Sequence, residues 1–435
     1  MSARSDSLPT AAAAPAGPPT GRRGMWAHVL AAAARSTNRL ARLRGGSGSV
    51  IGGHVATQLS RHPLRHLARD RWVVVVSGTN GKTTTTHLLA AAMATAGPIV
   101  TNREGSNLKT GVAVALANDL RPDLAVLEVD EATLARIYDD LAPNVVCLLN
   151  LSRDQLDRYG EVRIIAGRWR TTLFESGDTV VVANADDPLV VWAAERAGHV
   201  RWVSVGQRWV NDAGVCPACG GRIHRDETDR PAWRCDGCSL ARPEPAVVLD
   251  GSDLVDLESG ERHPIRLALP GRFNLANATM AATAAHVAGV AYAAALAAMA
   301  DTAAVAGRYR TLEIHGRSVR LLMAKNPAGW QESLDIIQPA PVPVIVAINA
   351  RVADGHDPSW LWDVPFEKLA GRQVVATGER AYDLAVRLAY AGVEHTVFEG
   401  TPLAAAATLE RRDVDLVGNY TVFSDILAAH PDVRS

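Results

Sequence analysis

Four consecutive valines, residues 73–76, run directly into the polar, glycine-bearing segment Ser77-Gly-Thr-Asn-Gly-Lys-Thr-Thr-Thr-Thr86, and an apolar-rich stretch follows from 88 to 96. An unbroken β-branched run bounded by turn residues predicts a buried strand, and the longer stretch after it predicts a helix. The same rhythm continues downstream, with short β-rich runs at 99–101, 124–129, 145–149 and 179–183 separated by helical patterns. Strands that alternate with helices imply a parallel sheet covered by helices. A second alternating section follows Gly307-Arg-Tyr-Arg310, with strands expected near 319–323, 342–349, 373–377 and 416–418. The fold class is therefore α/β, with a central parallel-sheet domain followed by a smaller C-terminal α/β domain.

Other stretches depart from this rhythm. Residues 1–24 are rich in Ala, Pro, Gly and Ser and carry no apolar period, which predicts a disordered tail. Residues 25–70 form a lead-in: a basic amphipathic helix, expected to pack on the next domain, with contact to a membrane surface as the other reading, and then a glycine-rich loop. Residues 276–306 are alanine-rich enough to imitate a membrane span. Alanine has little apolar transfer energy, however, and Gly289 with Val290 divides the stretch into two helices of ordinary length. The expected boundaries are 1–24, 25–70, 71–310 with an insertion at 211–245, and 311–435. A net charge of −1 argues against broad adhesion to nucleic acid or to anionic membranes, and no segment demands a bilayer.

Strand, glycine loop and helix in that order suit a phosphate site. Backbone N–H groups of Gly78, Thr79, Asn80 and Gly81 and the helix N-terminus would face phosphate oxygens; Lys82 would reach the terminal phosphates, and the Thr83 or Thr84 hydroxyl a Mg²⁺ ion. Gly78 stands two residues too close to serve as the first glycine of the general eight-residue pattern, so the fit is confined to Ser77 through Thr83. Glu128, Asp130 and Glu131 end a later apolar strand, a position suited to holding Mg²⁺. Further polar strand ends occur at Asn150-Leu-Ser and Asn184-Ala-Asp-Asp-Pro188.

Cys216-Pro-Ala-Cys219 and Cys235-Asp-Gly-Cys238 are separated by fifteen residues, the two-knuckle spacing of a tetrahedral Zn²⁺ site. Four sulfur ligands leave no open coordination position, so such a zinc is structural. The fifth cysteine, Cys147, lies in an apolar strand. The loop between the knuckles has Arg222, His224, Arg225 and Arg230 balanced by Asp226, Glu227 and Asp229, which disfavours recognition of a phosphate backbone.

Taken together, Gly78-Thr-Asn-Gly-Lys-Thr83, Glu128-Val-Asp-Glu131, Asp154-Gln-Leu-Asp157 with Tyr159-Gly160, Asn184-Ala-Asp-Asp-Pro188, Gly271-Arg-Phe-Asn274 with Asn277-Ala278, and Gly307-Arg308 resemble the ordered motifs of Mur ligases. The resemblance implies ATP-dependent phosphorylation of a carboxylate on a cell-wall precursor, followed by displacement of phosphate by an amine. It assigns Lys82 and Thr83 to phosphate and metal, Glu131 to the metal, Asn274 and Asn277 to the neighbourhood of adenine, and Arg308 to the phosphates. Two departures bear on a second Mg²⁺: Gln155 replaces the family's histidine, and Arg170 stands where many members carry a carbamylated lysine.

The inserted four-cysteine ribbon, Lys325-Asn-Pro-Ala-Gly329 and Ala353-Asp-Gly-His-Asp-Pro-Ser-Trp-Leu-Trp-Asp363 are similar to one branch of that family, which supplies the synthetase subunit of lipid II isoglutaminyl synthase. Membership implies amidation of the α-carboxylate of D-glutamate in the peptidoglycan stem. Ammonia would come from a partner GatD-type glutaminase in a heterodimer. The partner's Cys-His pair would be completed by an aspartate of this chain, with Asp357, Asp363 and Asp354 as candidates in that order. The expected location is the cytoplasm, with the inner face of the membrane left open. A stand-alone ligase that joins an amino acid, and a zinc-ribbon ATPase acting on nucleic acid, are the competing classes; the ribbon with the Trp-Asp loop disfavours the former, and the balanced charge the latter.

Overall fold

The structure is a computed structural model that describes residues 23–43, 51–102, 106–153, 162–226, 232–302, 309–314 and 316–430. Gln155 and the rest of its motif, Arg308, and the tail up to residue 22 lie outside the described residues. The chain forms two compact units, residues 1–152 with 161–303, and residues 153–160 with 304–435.

The first unit begins with three helices, α1 (Met25–Leu43), α2 (Ile51–Leu59) and α3 (Pro63–Ala68). Arg23, expected in a disordered tail, is instead buried. Its guanidinium donates to the carbonyls of Leu120, Arg69 and Pro122 and pairs with Asp123 at 2.8 Å. One side of α1 packs as the amphipathic pattern requires, burying Leu30, Ala31 and Ala34. Gly53 of α2 permits close approach to a neighbouring helix, since a Cβ there would lie 2.1 Å from the Thr110 carbonyl oxygen.

Strands β1 (Trp72–Ser77), β2 (Ile99–Thr101), β3 (Leu124–Glu128), β4 (Val145–Leu148), β5 (Val180–Asn184) and β6 (His199–Ser204) are joined through helices α4 (Lys82–Met93), α5 (Lys109–Asn118), α6 (Glu131–Leu141), α7 (Val162–Phe174) and α8 (Pro188–Ala194). The four valines of β1 are fully buried, as a strand covered on both faces demands. The sheet order is β2-β3-β1-β4-β5-β6, all parallel. It is extended by a meander of β9 (Val247–Asp250), β10 (Asp253–Asp256) and β11 (Arg262–Pro264) that the sequence pattern did not reveal. The alanine-rich stretch forms α9 (Arg272–Val287) and α10 (Tyr292–Ala300), separated at Gly289 as expected. Small side chains let α9 pack directly on α4, and the buried Thr279 and Thr283 hydroxyls donate to carbonyls four residues back. Among the described residues no helix is long and apolar enough to cross a membrane.

The second unit holds β12 (Tyr309–Ile314), β13 (Arg317–Met323), β14 (Val344–Ala347), β15 (Val374–Thr377), β16 (His395–Val397) and β17 (Asp413–Gly418), in the order β12-β13-β17-β14-β15-β16. Only β12 runs antiparallel to its neighbour. Helices α11 (Pro327–Asp335), α12 (Ala381–Tyr390) and α13 (Pro402–Thr408) lie between successive strands, and α14 (Tyr420–Ala429) follows β17.

Candidate active site and metal centre

The phosphate-type loop leaves β1 beside β4, where the strand order reverses, the usual ligand position in an open α/β sheet. Its shape is held by the end of β4. Thr79 N donates to the Asn150 carbonyl at 2.9 Å, Asn80 N to Asn150 Oδ1 at 2.9 Å, and Asn150 Nδ2 back to the Asn80 carbonyl at 3.1 Å. Ser152 N donates to Thr79 Oγ1 at 3.0 Å, and Asn80 Nδ2 to Ser152 Oγ at 3.0 Å. The sequence marked Asn150 only as a polar strand end and gave it no role. Gly81 takes φ +81°, which favours glycine, and a Cβ there would also displace the Asn277 side chain of α9, whose Oδ1 lies 2.5 Å from that position.

Lys82 Nζ donates to the carbonyls of Gly78 and Thr79, at 2.5 and 3.0 Å, and to Glu131 Oε2 at 2.9 Å. Both side chains are buried. Glu131 is the first residue of α6; its backbone carbonyl accepts from Trp169 Nε1 at 2.8 Å, which fixes the helix start beside the loop. Asp130 caps that helix by accepting from Ala132 N and Thr133 N. Glu128 accepts from Asn107 Nδ2 at 3.0 Å. Of the three carboxylates at this strand end, Glu131 is the one paired with Lys82. Thr83 is half-buried and Thr84 buried in the first turn of α4. Asn274 is also buried, and its amide is committed to the Pro270 carbonyl at 2.6 Å.

Arg170 points away from this cluster, pairing with Glu195 at 2.8 Å, donating to the Trp192 carbonyl and covering the Trp192 ring. A guanidinium committed to the end of α8 supplies no metal ligand.

The inserted module is a hairpin of β7 (Ile223–Asp226) and β8 (Ala232–Cys235) with a knuckle at each end. The sulfurs of Cys216, Cys219, Cys235 and Cys238 all lie within 4.8 Å of one another, with Cys216 to Cys238 at 3.6 Å and Cys219 to Cys235 at 3.4 Å. A zinc–sulfur length of about 2.3 Å requires tetrahedral sulfur separations of about 3.8 Å, so the donor set fits Zn²⁺. Gly221 N and Gly237 N donate to the Cys219 and Cys235 sulfurs, stabilising thiolate charge. Trp233, Ile223 and Leu240 give the module a small core against Val191. It is fastened to the end of β5, where Trp233 Nε1 donates to the Ala185 carbonyl at 3.0 Å and Arg242 Nε pairs with Asp186 at 2.9 Å. Asp186 also accepts from Val205 N and Gly206 N, and buried Asp187 caps α8.

In the second unit, Asn326 caps α11 through Gly329 N, which accounts for the Asn-Pro-Ala-Gly motif locally. The three candidate aspartates are not equivalent. Asp354 is buried, accepting from Thr421 N at 3.0 Å and from the Thr421 hydroxyl. Asp363 pairs with Arg153 at 2.9 Å. Asp357 is exposed; one carboxylate oxygen caps the 3₁₀ turn Pro358–Asp363 by accepting from Ser359 N at 2.8 Å.

Residues 76–285 match the family described as Mur ligase middle domain, and residues 323–423 match MurT ligase C-terminal. The lipid II isoglutaminyl synthase (glutamine-hydrolyzing) subunit MurT of Streptococcus pneumoniae is 31% identical over 89% of this chain and 94% of its own length. The chain belongs to the MurT family of Mur ligases. The MurT subunit of Staphylococcus aureus is 28% identical over 91% of this chain and 95% of its own length. Outside the MurT branch, the fold matches a pseudomurein peptide ligase type C from Methanothermus fervidus, with a TM-score of 0.66 at 18% identity over 84% of this chain and 79% of that one. It also matches a MurF ligase from Thermotoga maritima in complex with ADP, with a TM-score of 0.57 at 15% identity over 88% and 85%.

Proposed function

We propose that the chain is the synthetase subunit of a glutamine-hydrolysing lipid II isoglutaminyl synthase. It uses ATP and Mg²⁺ to phosphorylate the α-carboxylate of D-glutamate in the peptidoglycan stem, and ammonia then displaces phosphate from the acyl phosphate to give D-isoglutamine. The observation that carries this reading is the Lys82–Glu131 pair at the base of the glycine loop. It puts one cation and one carboxylate where phosphate transfer needs a charge clamp and a metal ligand. Lys82 neutralises charge on the transferring phosphoryl group, Thr83 and Glu131 hold Mg²⁺, loop N–H groups position the phosphates, and Asn274 and Asn277 lie toward the adenine of the nucleotide. Four cysteines hold a structural Zn²⁺.

A separate chain has to supply the ammonia. Of the five cysteines, four belong to the ribbon, and Cys147 is wholly buried in β4, where desolvation pushes its thiol far up. It is therefore inert as a nucleophile for glutamine. The partner is a GatD-type glutaminase, and Asp357, the exposed member of the three, is the acid that orients its histidine. A lipid-linked acceptor places the reaction at the inner face of the membrane. The decisive experiment is co-purification with a candidate glutaminase, followed by mass spectrometry of lipid II incubated with ATP and glutamine. Failure to amidate with either glutamine or free ammonia would overturn the reading, as would incorporation of an amino acid in place of ammonia.

A further inference from the structure

Helix α1 has three sides where packing requires two. Ala27, Leu30, Ala31, Ala34 and Asn38 form the buried side, against α2, α3 and α5. At about 100° per residue, Met25, Val29 and Leu40 fall within a sector of about 60° on the exposed side, with Trp26 at its edge. Met25 is 77% exposed, Leu40 58% and Trp26 51%. His28, Arg35 and Arg39 line the third side, and Arg35 donates to the Ala117 carbonyl at 3.4 Å. Met25, Val29 and Leu40 remain largely or half exposed at this sector.

Charge gives the independent observation. Between residues 7 and 69 there is no Asp or Glu, while there are nine arginines, in a chain whose net charge is −1. His66 of α3 stacks on Trp26 with ring centroids 6.2 Å apart, so α3 lies beside the apolar sector. Arg65 and Arg69 of that region are largely exposed, with their nearest carboxylates, Asp140 and Asp70, at 3.7 and 3.9 Å.

We propose that this face of α1 docks on an anionic lipid bilayer. Met25, Trp26, Val29 and Leu40 enter the interfacial layer, and Arg39, Arg65 and Arg69 meet lipid phosphates. An exposed apolar strip with a tryptophan at its edge, flanked by largely exposed arginines, is what such a surface selects. A second copy of this chain would set arginine against arginine across a two-fold axis. A nucleic acid would match the charge and leave the apolar strip in water. The proposal rests on exposure and charge and is independent of the ligase reading; a lipid-linked acceptor would give the docking a use.

The test is sedimentation of the full-length protein with vesicles of phosphatidylglycerol or of phosphatidylcholine, at low and raised salt, with no nucleotide present. Binding to the anionic vesicles alone, weakened by salt, is expected. Val29→Glu with Leu40→Glu should weaken it at least tenfold while the thermal midpoint and zinc content stay put. Arg65→Ser with Arg69→Ser, which keeps the test valid should the first pair unfold, should weaken it about fivefold per arginine. Equal binding to both vesicles, no binding to either, or no effect of either pair overturns the proposal. So does a vesicle-free dimer abolished by Val29→Glu with Leu40→Glu, which would make the face a self-interface. A glutaminase complex unable to bind vesicles would overturn it as well, by assigning the face to that protein.

Discussion

Lys82 and Glu131, 49 residues apart in sequence, meet in a buried ion pair with Nζ 2.9 Å from Oε2. The lysine thus neutralises a buried carboxylate, a task that stands beside the phosphate chemistry proposed for it. Lys82→Ala should lower ATP turnover by on the order of 10³ or more. It should also destabilise the first unit by about 3 kcal/mol, because a buried charge loses its partner. Adding Glu131→Gln should return much of the stability and none of the activity. Denaturant titration beside ATP turnover checks both; a Lys82→Ala protein with normal turnover would exclude the assignment.

Zinc content should be close to one equivalent, and Cys235→Ser should abolish it. Metal-binding energy is folding energy for a module with so few buried side chains. The lesion should show as early proteolysis within 211–245 while β1 and its loop remain protected from hydrogen exchange. Metal analysis of the intact protein that finds no zinc sinks the ribbon assignment.

The ribbon thiols should also set a pH dependence. Burial works against ionisation of Cys235, but the Gly237 N–H and the thiols of Cys219, Cys216 and Cys238 outweigh it and draw the group down to about 7. Burial pushes Cys216 up to about 12. Zinc displaces protons from thiols that are still protonated, so affinity falls as pH falls. Below about 7 Cys235 also has to be deprotonated, and the plot of log affinity against pH should steepen by about one decade per unit. Competition with a chelator across that range measures it; a line of unchanged slope contradicts the assignment.

Asp357→Asn should suppress glutamine hydrolysis in the reconstituted complex by about 10³ to 10⁴, since the partner's histidine loses the anion that fixes its tautomer. Amidation with supplied ammonia should survive. Asp363→Asn, which removes the charge paired with Arg153, should leave glutamine hydrolysis within a few-fold of normal. Glutamate release and ammonia-driven amidation, measured side by side, separate the two. The opposite pattern would exchange their roles.

What the sequence made legible followed local chemistry strongly expressed in few residues. The valines of β1, the break at Gly289 between α9 and α10, and the paired cysteines each announce one outcome. Strands β10 and β11 do not, because Asp253–Asp256 has only two apolar residues and Arg262–Pro264 is short and polar, and both become strands through their neighbours in the meander. The burial of Arg23 is hidden from the sequence for a related reason. Its surroundings in sequence are those of a tail, while its partners, Leu120, Pro122 and Asp123, are about a hundred residues away. The Asn150 and Ser152 strap on the glycine loop is also tertiary: the residue types are those of any strand end. The motif orders Asp357, Asp363 and Asp354 without showing which of them is exposed, because exposure depends on partners in space.

The loop that carries these aspartates is fastened along its length: Asp354 to Thr421, Asp357 to the turn that follows it, and Asp363 to Arg153. Its conformational freedom has thus been surrendered during folding of the second unit. Association with the proposed glutaminase would then lose little further entropy at this segment, leaving the free energy of contact available for affinity. An aspartate acting as the proposed acid would reach the complex pre-organised, so its geometry should be as well defined in the isolated subunit as in the assembly.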